Sequence, residues 1–330
     1  MIVLFTFICF LTFFTFRKFA FKINLIDLPN KRNTHKGEVP LVGGICIYIL
    51  MLLAIYLFDI DEQLKSIVYI GLILIIIGIL DDYKNIKVSI RLITQVIASF
   101  LITYNGFEVT NLGNFQFFGS IELGSFSLFF TIFCFVILIN SYNFMDGIDS
   151  LLPSQIIVYL SVVIFFILTE DNAESVNHIY LILIILIIFM FFNLTKKFKI
   201  FLGDAGSTFL GLLVGSLLIF YSQINSFIPA ILIPWILFMP TADFLRVTIY
   251  RMSIKRSPFA YDKNHFHYLL KDRGFGKFKI LFIYALSSYL IIFLGYIIYI
   301  YLGSIYNLII LLFLFTFFYF YIYWNFSNEN

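Results

Sequence analysis

Long apolar runs alternate with short polar segments along the whole chain. A helix that spans a bilayer needs about 20 predominantly apolar residues. Eleven stretches meet or approach that length, near 2–21, 41–58, 66–80, 88–104, 126–142, 155–169, 177–194, 205–221, 228–249, 280–300 and 303–324. The pattern predicts an all-α polytopic integral membrane protein with about eleven transmembrane helices, forming one domain over 1–330. The first run reads as a span and not as a cleaved leader, because Arg17 and Lys18 follow its apolar part and no small-residue cleavage site appears. One longer external segment, 105–125, carries FEVTNL and SIELG around Gly113, Asn114 and Gly119, which predicts a small external β-hairpin.

Composition agrees: 61% of the residues are hydrophobic and 12% charged, and the mean hydropathy is +0.98. The charges then fix the orientation. With the N-terminus outside, 21 of the 22 Lys and Arg residues fall on cytoplasmic segments, and Lys65 is the exception. Those segments are 22–40, 81–91, 143–154, 195–204 and 250–279, with Arg17, Lys18 and Arg246 at their borders. The net charge of +3 is therefore a membrane-topology signal and not a nucleic-acid one. The basic face suits membrane lipid headgroups or phosphates. Cys9, Cys46 and Cys134 lie in apolar runs and read as inert hydrophobes.

The candidate chemistry sits where spans end on the cytoplasmic side. Asp81 and Asp82 close the third run, at the negative pole of a helix, where they repel each other and need a cation or the nearby Lys84, Lys87 or Arg91. Asn140, Asn143, Asp146 and Asp149 recur at spacing three, which keeps them on one face if the helix continues; Gly147 predicts a break that redirects the acids. Polar groups at a span's end are costly unless they serve a function. At the eighth run, either Asp204 or Ser207 caps the helix, or Asp204 is part of the acidic face. Lys36 and His35 in the first loop, and His265 and His267 in the last, suit phosphate or sugar. His178 lies outside among acids and reads as solvated. Acids and bases at one polar–apolar boundary suit a reaction between a charged nucleotide-type substrate and a membrane-dissolved phosphate. They also suit ion-coupled transport, although transporters place ionisable groups nearer the bilayer midplane.

The motifs LPNKR..H....PLVGGI, LDD, N..N..DGID, KIFLGDAGST and SPF..D..H.H, in that order over about 24–280, resemble the polyprenyl-phosphate N-acetylhexosamine-1-phosphate transferases, most of all the bacterial WecA type. The resemblance implies transfer of N-acetylhexosamine 1-phosphate from a UDP-sugar, UDP-GlcNAc first, to polyprenyl (undecaprenyl) phosphate, with release of UMP. This would be the first membrane step of a cell-envelope polysaccharide such as O-antigen, in the bacterial inner membrane. It implies magnesium, with manganese as an alternative. Asp81, Asp82 and Asp204 take the catalytic positions, and Asp204, Asn143 and Asp82 the metal positions. Asp149, Phe201 and Asp146 match nucleotide-binding positions, and Lys36, Arg91, His265 and His267 phosphate or sugar positions. Three residues depart from the pattern: Asn85 where a third acid often stands, Ser150 for a glycine, and Tyr268 for a last histidine. A 6-deoxy UDP-sugar is the alternative donor, a lipid-linked-sugar transporter the alternative class, and a homodimer is left open.

Overall fold

In hydrocarbon every backbone N–H and C=O must be paired within its own segment, so uncharged apolar runs become helices. The computed structural model describes residues 1–29, 37–170, 172, 176–258 and 263–326. Lys36 and His35 lie outside the described residues. In chain order come α1 (Ile2–Lys22), β1 (Ile26–Asp27), β2 (Val39–Pro40), α2 (Gly43–Leu57), α3 (Glu62–Lys84) and α4 (Val88–Tyr104). They are followed by β3 (Asn111–Phe115), β4 (Gly119–Glu122), α5 (Ser127–Met145), α6 (Leu151–Thr169), α7 (Asn177–Leu194) and α8 (Gly203–Ile219). The chain continues through α9 (Ile233–Ile236), α10 (Phe238–Ser253), α11 (Phe266–Asp272), α12 (Lys277–Leu302) and α13 (Ser304–Phe326).

Among the described residues, eight helices are long and apolar enough to cross a membrane, and α2 and α4 are shorter apolar helices. The remaining expected span, near 228–249, is broken: the segment Ala230–Ile236 meets Phe238–Ser253 at a bend of 69°. The prolines explain the break. Pro234 sits at the start of α9 and Pro240 in the first turn of α10, where a missing N–H is tolerated but an incoming helix cannot run through.

The centre of the bundle is α8, buried at every residue from Ala205 to Ile219. Its neighbours α2, α3 and α5 approach closely because small residues face each other, the usual packing device between membrane helices. A Cβ on Gly44 of α2 would collide with the backbone of Gly206, and one on Gly78 of α3 with the backbone of Ala205. The start of α8 is thus wedged between two helix ends.

At the opposite end, β3 and β4 pair antiparallel with a register irregularity between Asn111 and Asn114. The hairpin starts four residues later than FEVTNL suggests, because Phe107 is fully buried as an anchor. It is tied down by Gln223, whose Oε1 accepts the Thr110 and Asn111 N–H groups at 3.1 Å. Gln116 Nε2 donates to the Leu302 carbonyl at 2.9 Å, and Ser304 Oγ to that of Asn114 at 2.6 Å. His178 is half-buried and hydrogen-bonded to the Tyr221 hydroxyl, not solvated as expected, because the helical turn Phe220–Ile224 that follows α8 places Tyr221 beside it.

Candidate active site

At the basic end of the bundle, a cavity of about 670 Å³ opens between the helix ends. Its wall carries Asp27, Asp81, Asp82, Asp146, Asp149 and Asp204 together with Lys199, Lys271 and Lys277. The acids come from separate segments. Asp81 and Asp82 end α3, Asp146 and Asp149 follow α5, and Asp204 opens α8.

Loop pairing fixes the floor. β1 and β2 pair antiparallel, and the Phe201 N–H donates to the Pro40 carbonyl at 2.8 Å, so the segment before α8 docks on the first loop. The first N–H groups of α2 find acceptors there too. Gly43 N–H reaches the Phe201 carbonyl, and Gly44 N–H that of Leu202, each at 2.8 Å. Helix starts leave such donors orphaned, and here their pairing fixes where Phe201 stands.

Asp82 Oδ1 accepts the Asp204 N–H at 2.9 Å and its Oδ2 lies 3.5 Å from the Ala205 nitrogen. A residue from α3 therefore caps α8, a role the sequence had suggested for Asp204 or Ser207. Gly203 has φ +76, and a Cβ there would stand 2.5 Å from Asp82 Oδ2, so glycine serves both the turn and the approach of the carboxylate. Asp81 is buried, pairs with Arg91 Nη1 at 2.5 Å and accepts the Ile86 N–H at 2.8 Å. The same Nη1 lies 3.3 Å from Asp204 Oδ2. Arg91 thus bridges two carboxylates from a small crevice beside the main cavity, which it shares with Gln95 and Asn140. Asn143 Nδ2 donates to Asp204 Oδ1 at 2.7 Å and to Ser207 Oγ at 3.0 Å.

The spacing-three series does not stay on one helical face. Helix α5 stops at Met145, and Asn140 turns to Gln95 Oε1 at 2.6 Å. Asp146 and Asp149 are swung to the cavity by the break, which ends at Ser150 with φ 61. That left-handed position explains why the pattern favours glycine; Ser150 holds it by donating to Asn193 Oδ1 at 2.8 Å. Burial pushes the Asp146 carboxyl well above the usual carboxylate range, and the charges of Asp204 and Asp149 add to the rise. Asp149 Oδ2 accepts from Lys199 Nζ at 2.9 Å and Lys277 Nζ at 3.3 Å. Lys199 Nζ also stands 4.9 Å from the centre of the Phe201 ring.

His265 and His267 do not line the cavity, contrary to the expected sugar-diphosphate contact. Both are buried behind its wall, where His265 Nδ1 meets Asp243 Oδ2 at 2.9 Å. Asp243 also binds Arg246 at 2.8 Å and the Phe266 N–H. Phe144, His265 and His267 stack in sequence, with ring centres 5.0 and 5.8 Å apart. Tyr268, the departure from the motif, lines the cavity in their place. Asp243, Arg246, Lys199, Lys271 and Lys277 were not singled out by the sequence. An acid and an arginine three apart inside an apolar run were the available signal for the first pair.

The donor set is all oxygen, which fits a hard cation. Among the described residues no group of three or more His, Cys, Asp or Glu converges on one point. Asp204, Asn143 and Asp82 are the oxygen-bearing side chains that stand together there.

Residues 64–222 match the family described as Glycosyl transferase family 4. The chain is 31% identical over 297 residues to the undecaprenyl-phosphate alpha-N-acetylglucosaminyl 1-phosphate transferase of Escherichia coli K12, covering 87% of this chain and 80% of that protein. The protein of the same name from Salmonella typhimurium is 32% identical over 278 residues, covering 81% of this chain and 75% of its own length. A probable undecaprenyl-phosphate N-acetylglucosaminyl 1-phosphate transferase of Bacillus subtilis is 27% identical, over 82% of this chain and 76% of its own. The chain belongs to glycosyl transferase family 4, and it is a multi-pass membrane protein.

Proposed function

We propose that this family 4 member transfers N-acetylglucosamine 1-phosphate from UDP-GlcNAc to undecaprenyl phosphate and releases UMP, the first membrane step of a cell-envelope polysaccharide. Its basic end would face the cytoplasm from the bacterial inner membrane. The observation that carries the reading is the cavity at the basic end. There, six aspartates and three lysines meet at the boundary where a water-soluble anion and a lipid phosphate can be brought together.

In the proposed reaction a lipid phosphate oxygen attacks the sugar-bearing β-phosphorus, and the bond to the UMP oxygen breaks. A phosphate monoester has its second pKa near about 6, so the nucleophile is already largely dianionic at neutral pH and needs no strong base. Direct attack is therefore favoured over a covalent aspartyl-phosphate. Asp81 is committed to Arg91, which suits it to hold the guanidinium at the site's edge, where a lipid phosphate would need a positive partner. Asp82 aligns Asp204 by capping its helix. Asp204, with Asn143 beside it and Asp82 behind, would hold magnesium or manganese, which when bound neutralises charge on the diphosphate and the leaving UMP. Asp149 and Phe201 would take the uracil, with Asp146 beside them.

The test is incubation of the purified protein with magnesium, undecaprenyl phosphate and UDP-GlcNAc or a 6-deoxy UDP-N-acetylhexosamine. UMP released only when the lipid phosphate is present supports the reading. Absence of lipid-dependent UMP release with every donor overturns it.

A further inference from the structure

Away from the cavity, three cations gather where α1 finishes and the segment after α7 begins. Lys18 Nζ stands 4.3 Å from the centre of the Phe14 ring. Phe14 packs edge-on against Phe198, with ring centres 6.1 Å apart. Phe198 in turn holds both Lys197 Nζ, at 5.5 Å from its centre, and the Arg17 guanidinium, at 5.9 Å. Arg17 also lies 5.7 Å from the Phe21 ring and donates through Nη2 to the Lys197 carbonyl at 3.0 Å. Lys22 and Lys196 flank the group and are exposed. None of these residues lines the cavity.

Elsewhere at the basic end cations are matched by acids: Arg91 with Asp81 and Asp204, Lys199 and Lys277 with Asp149, Arg246 with Asp243. Here they are not. Among the described residues no carboxylate lies within ion-pair distance of Arg17, Lys18, Lys22, Lys196 or Lys197. A ring face attracts a cation but does not neutralise it, so the like charges still repel and the missing anion has to come from outside the chain. The surroundings say which side it comes from. A lysine at a span's end ordinarily stretches outward to water. Lys18 instead lies back over Phe14, one helical turn nearer the bilayer centre. One further turn in, Phe10 packs against Phe191 and Phe192. Phe7, Phe10 and Phe191 stay exposed, so an apolar seam between α1 and α7 runs on from the cations.

We infer that Arg17, Lys18 and Lys197 form a binding site for the headgroup phosphate of an anionic phospholipid, whose acyl chains lie along the α1–α7 seam. The charge match selects the lipid class. A zwitterionic headgroup brings its own ammonium to a cluster already rich in cations, whereas an anionic one brings only the phosphate. The guanidinium fork suits phosphate oxygens, and the ammonium groups add point charges on either side. Lys197 and Phe198 directly precede Lys199, which with Phe201 lines the cavity. A lipid seated on the cluster therefore steadies the segment that carries those two residues. The site goes beyond the transfer reaction proposed above and does not depend on the sugar donor.

Two rival uses give the same patch: charges that only orient the chain in the membrane, and a surface that gathers the polyprenyl phosphate substrate. The full-length protein in detergent is titrated with phosphatidylglycerol, phosphatidylcholine or glycerol 3-phosphate, and the thermal midpoint is followed. In wild type the midpoint should rise with phosphatidylglycerol and with neither of the others. A Lys or Arg at an anionic lipid surface is worth about fivefold in affinity. The variant Arg17→Gln, Lys18→Gln, Lys197→Gln should therefore need about a hundredfold more phosphatidylglycerol for half the rise. Lys84→Gln, Lys87→Gln, Arg256→Gln removes the same charge from exposed positions elsewhere at the basic end and should respond as wild type. No rise in wild type overturns the inference, as does an equal loss in both triple variants, the mark of a diffuse basic face. A matching rise with glycerol 3-phosphate assigns the cluster to soluble phosphate and overturns it too. So does a cluster variant that keeps the phosphatidylglycerol response; a raised KM for undecaprenyl phosphate in that variant would then assign the cations to the substrate lipid. Should the cluster variant fail to elute as one species by size exclusion, Lys18→Gln with Lys197→Gln decides. A response weakened about tenfold or more there supports the site, and a wild-type response overturns it.

Discussion

Asp82 caps the helix that begins with Asp204: its Oδ1 accepts the Asp204 backbone N–H at 2.9 Å, across 122 residues of sequence. Two carboxylates that would repel as free neighbours are thus given different work. One is spent on backbone donors, while the other keeps Oδ1 on Asn143 and Oδ2 near Arg91. The pair can be separated by substitution. Asp82→Ala should lower stability by about 1 kcal/mol, the usual loss of an N-cap, and lower turnover through misplacement of Asp204. Asp204→Asn should leave the thermal midpoint nearly unchanged while turnover falls by about a thousandfold, the scale of losing a key charge-stabilising group. Near-normal turnover of Asp204→Asn at low magnesium would remove Asp204 from the metal site.

Arg91 is the partner of a buried acid, and its removal should be felt as instability. Leaving a buried charge uncompensated costs about 3–5 kcal/mol; Arg91 is 31% exposed, so solvent screening brings the expectation for Arg91→Gln down to about 2 kcal/mol. Adding Asp81→Asn should return most of that loss. Additive destabilisation in the double variant, measured by chemical denaturation in detergent, would show that the pair is not coupled.

His267 predicts the acid side of the stability profile. Burial, then the neighbouring His265, holds its imidazole down to about 3, against about 6.5 when unfolded. The unfolded chain binds the proton first, so stability is full above about 6.5 and is lost as pH falls toward 3. The thermal midpoint of His267→Gln should fall less steeply than that of wild type between those limits. Identical slopes would mean that the imidazole is open to solvent.

Phe201→Leu keeps apolar volume and removes the ring face. Stacking of a base on an aromatic ring is worth about 1–3 kcal/mol, so KM for the UDP-sugar should rise about ten- to a hundredfold while KM for polyprenyl phosphate stays put. Equal changes in both constants, or none, would return Phe201 to the lipid-facing rings.

Orientation is checked by labelling single cysteines in intact cells with an impermeant reagent. Phe117→Cys, at the exposed hairpin turn, should react, and Lys87→Cys, exposed at the basic end, should not. Ready reaction at position 87 would invert the topology.

The helical spans and the acid-bearing ends were legible because local pattern decides them. An apolar run has to become a helix in hydrocarbon, and a charge at its end has to find a partner. The use of each polar residue was not legible, because the partner lies far along the chain. Nothing near Asp82 says that it caps α8, and nothing near Lys277 points to Asp149, 128 residues away. The histidines were misplaced for the same reason: Asp243, on the neighbouring α10, draws His265 inward. The bend between α9 and α10 was announced by Pro234 and Pro240, but a proline early in a helix is also an ordinary start.

Lys277 is the first residue of a helix of 26 residues, a rod about 39 Å long at 1.5 Å per residue. The far end of that rod is pinned at the Leu302 carbonyl by Gln116 of the hairpin. The depth to which Lys277 enters the cavity is therefore gauged from the other side of the bilayer. Its 3.3 Å contact with Asp149 leaves little slack, so a slip of the rod by one residue's rise would break it. The small hairpin that never comes near the chemistry is thus joined through one helix to the cavity wall.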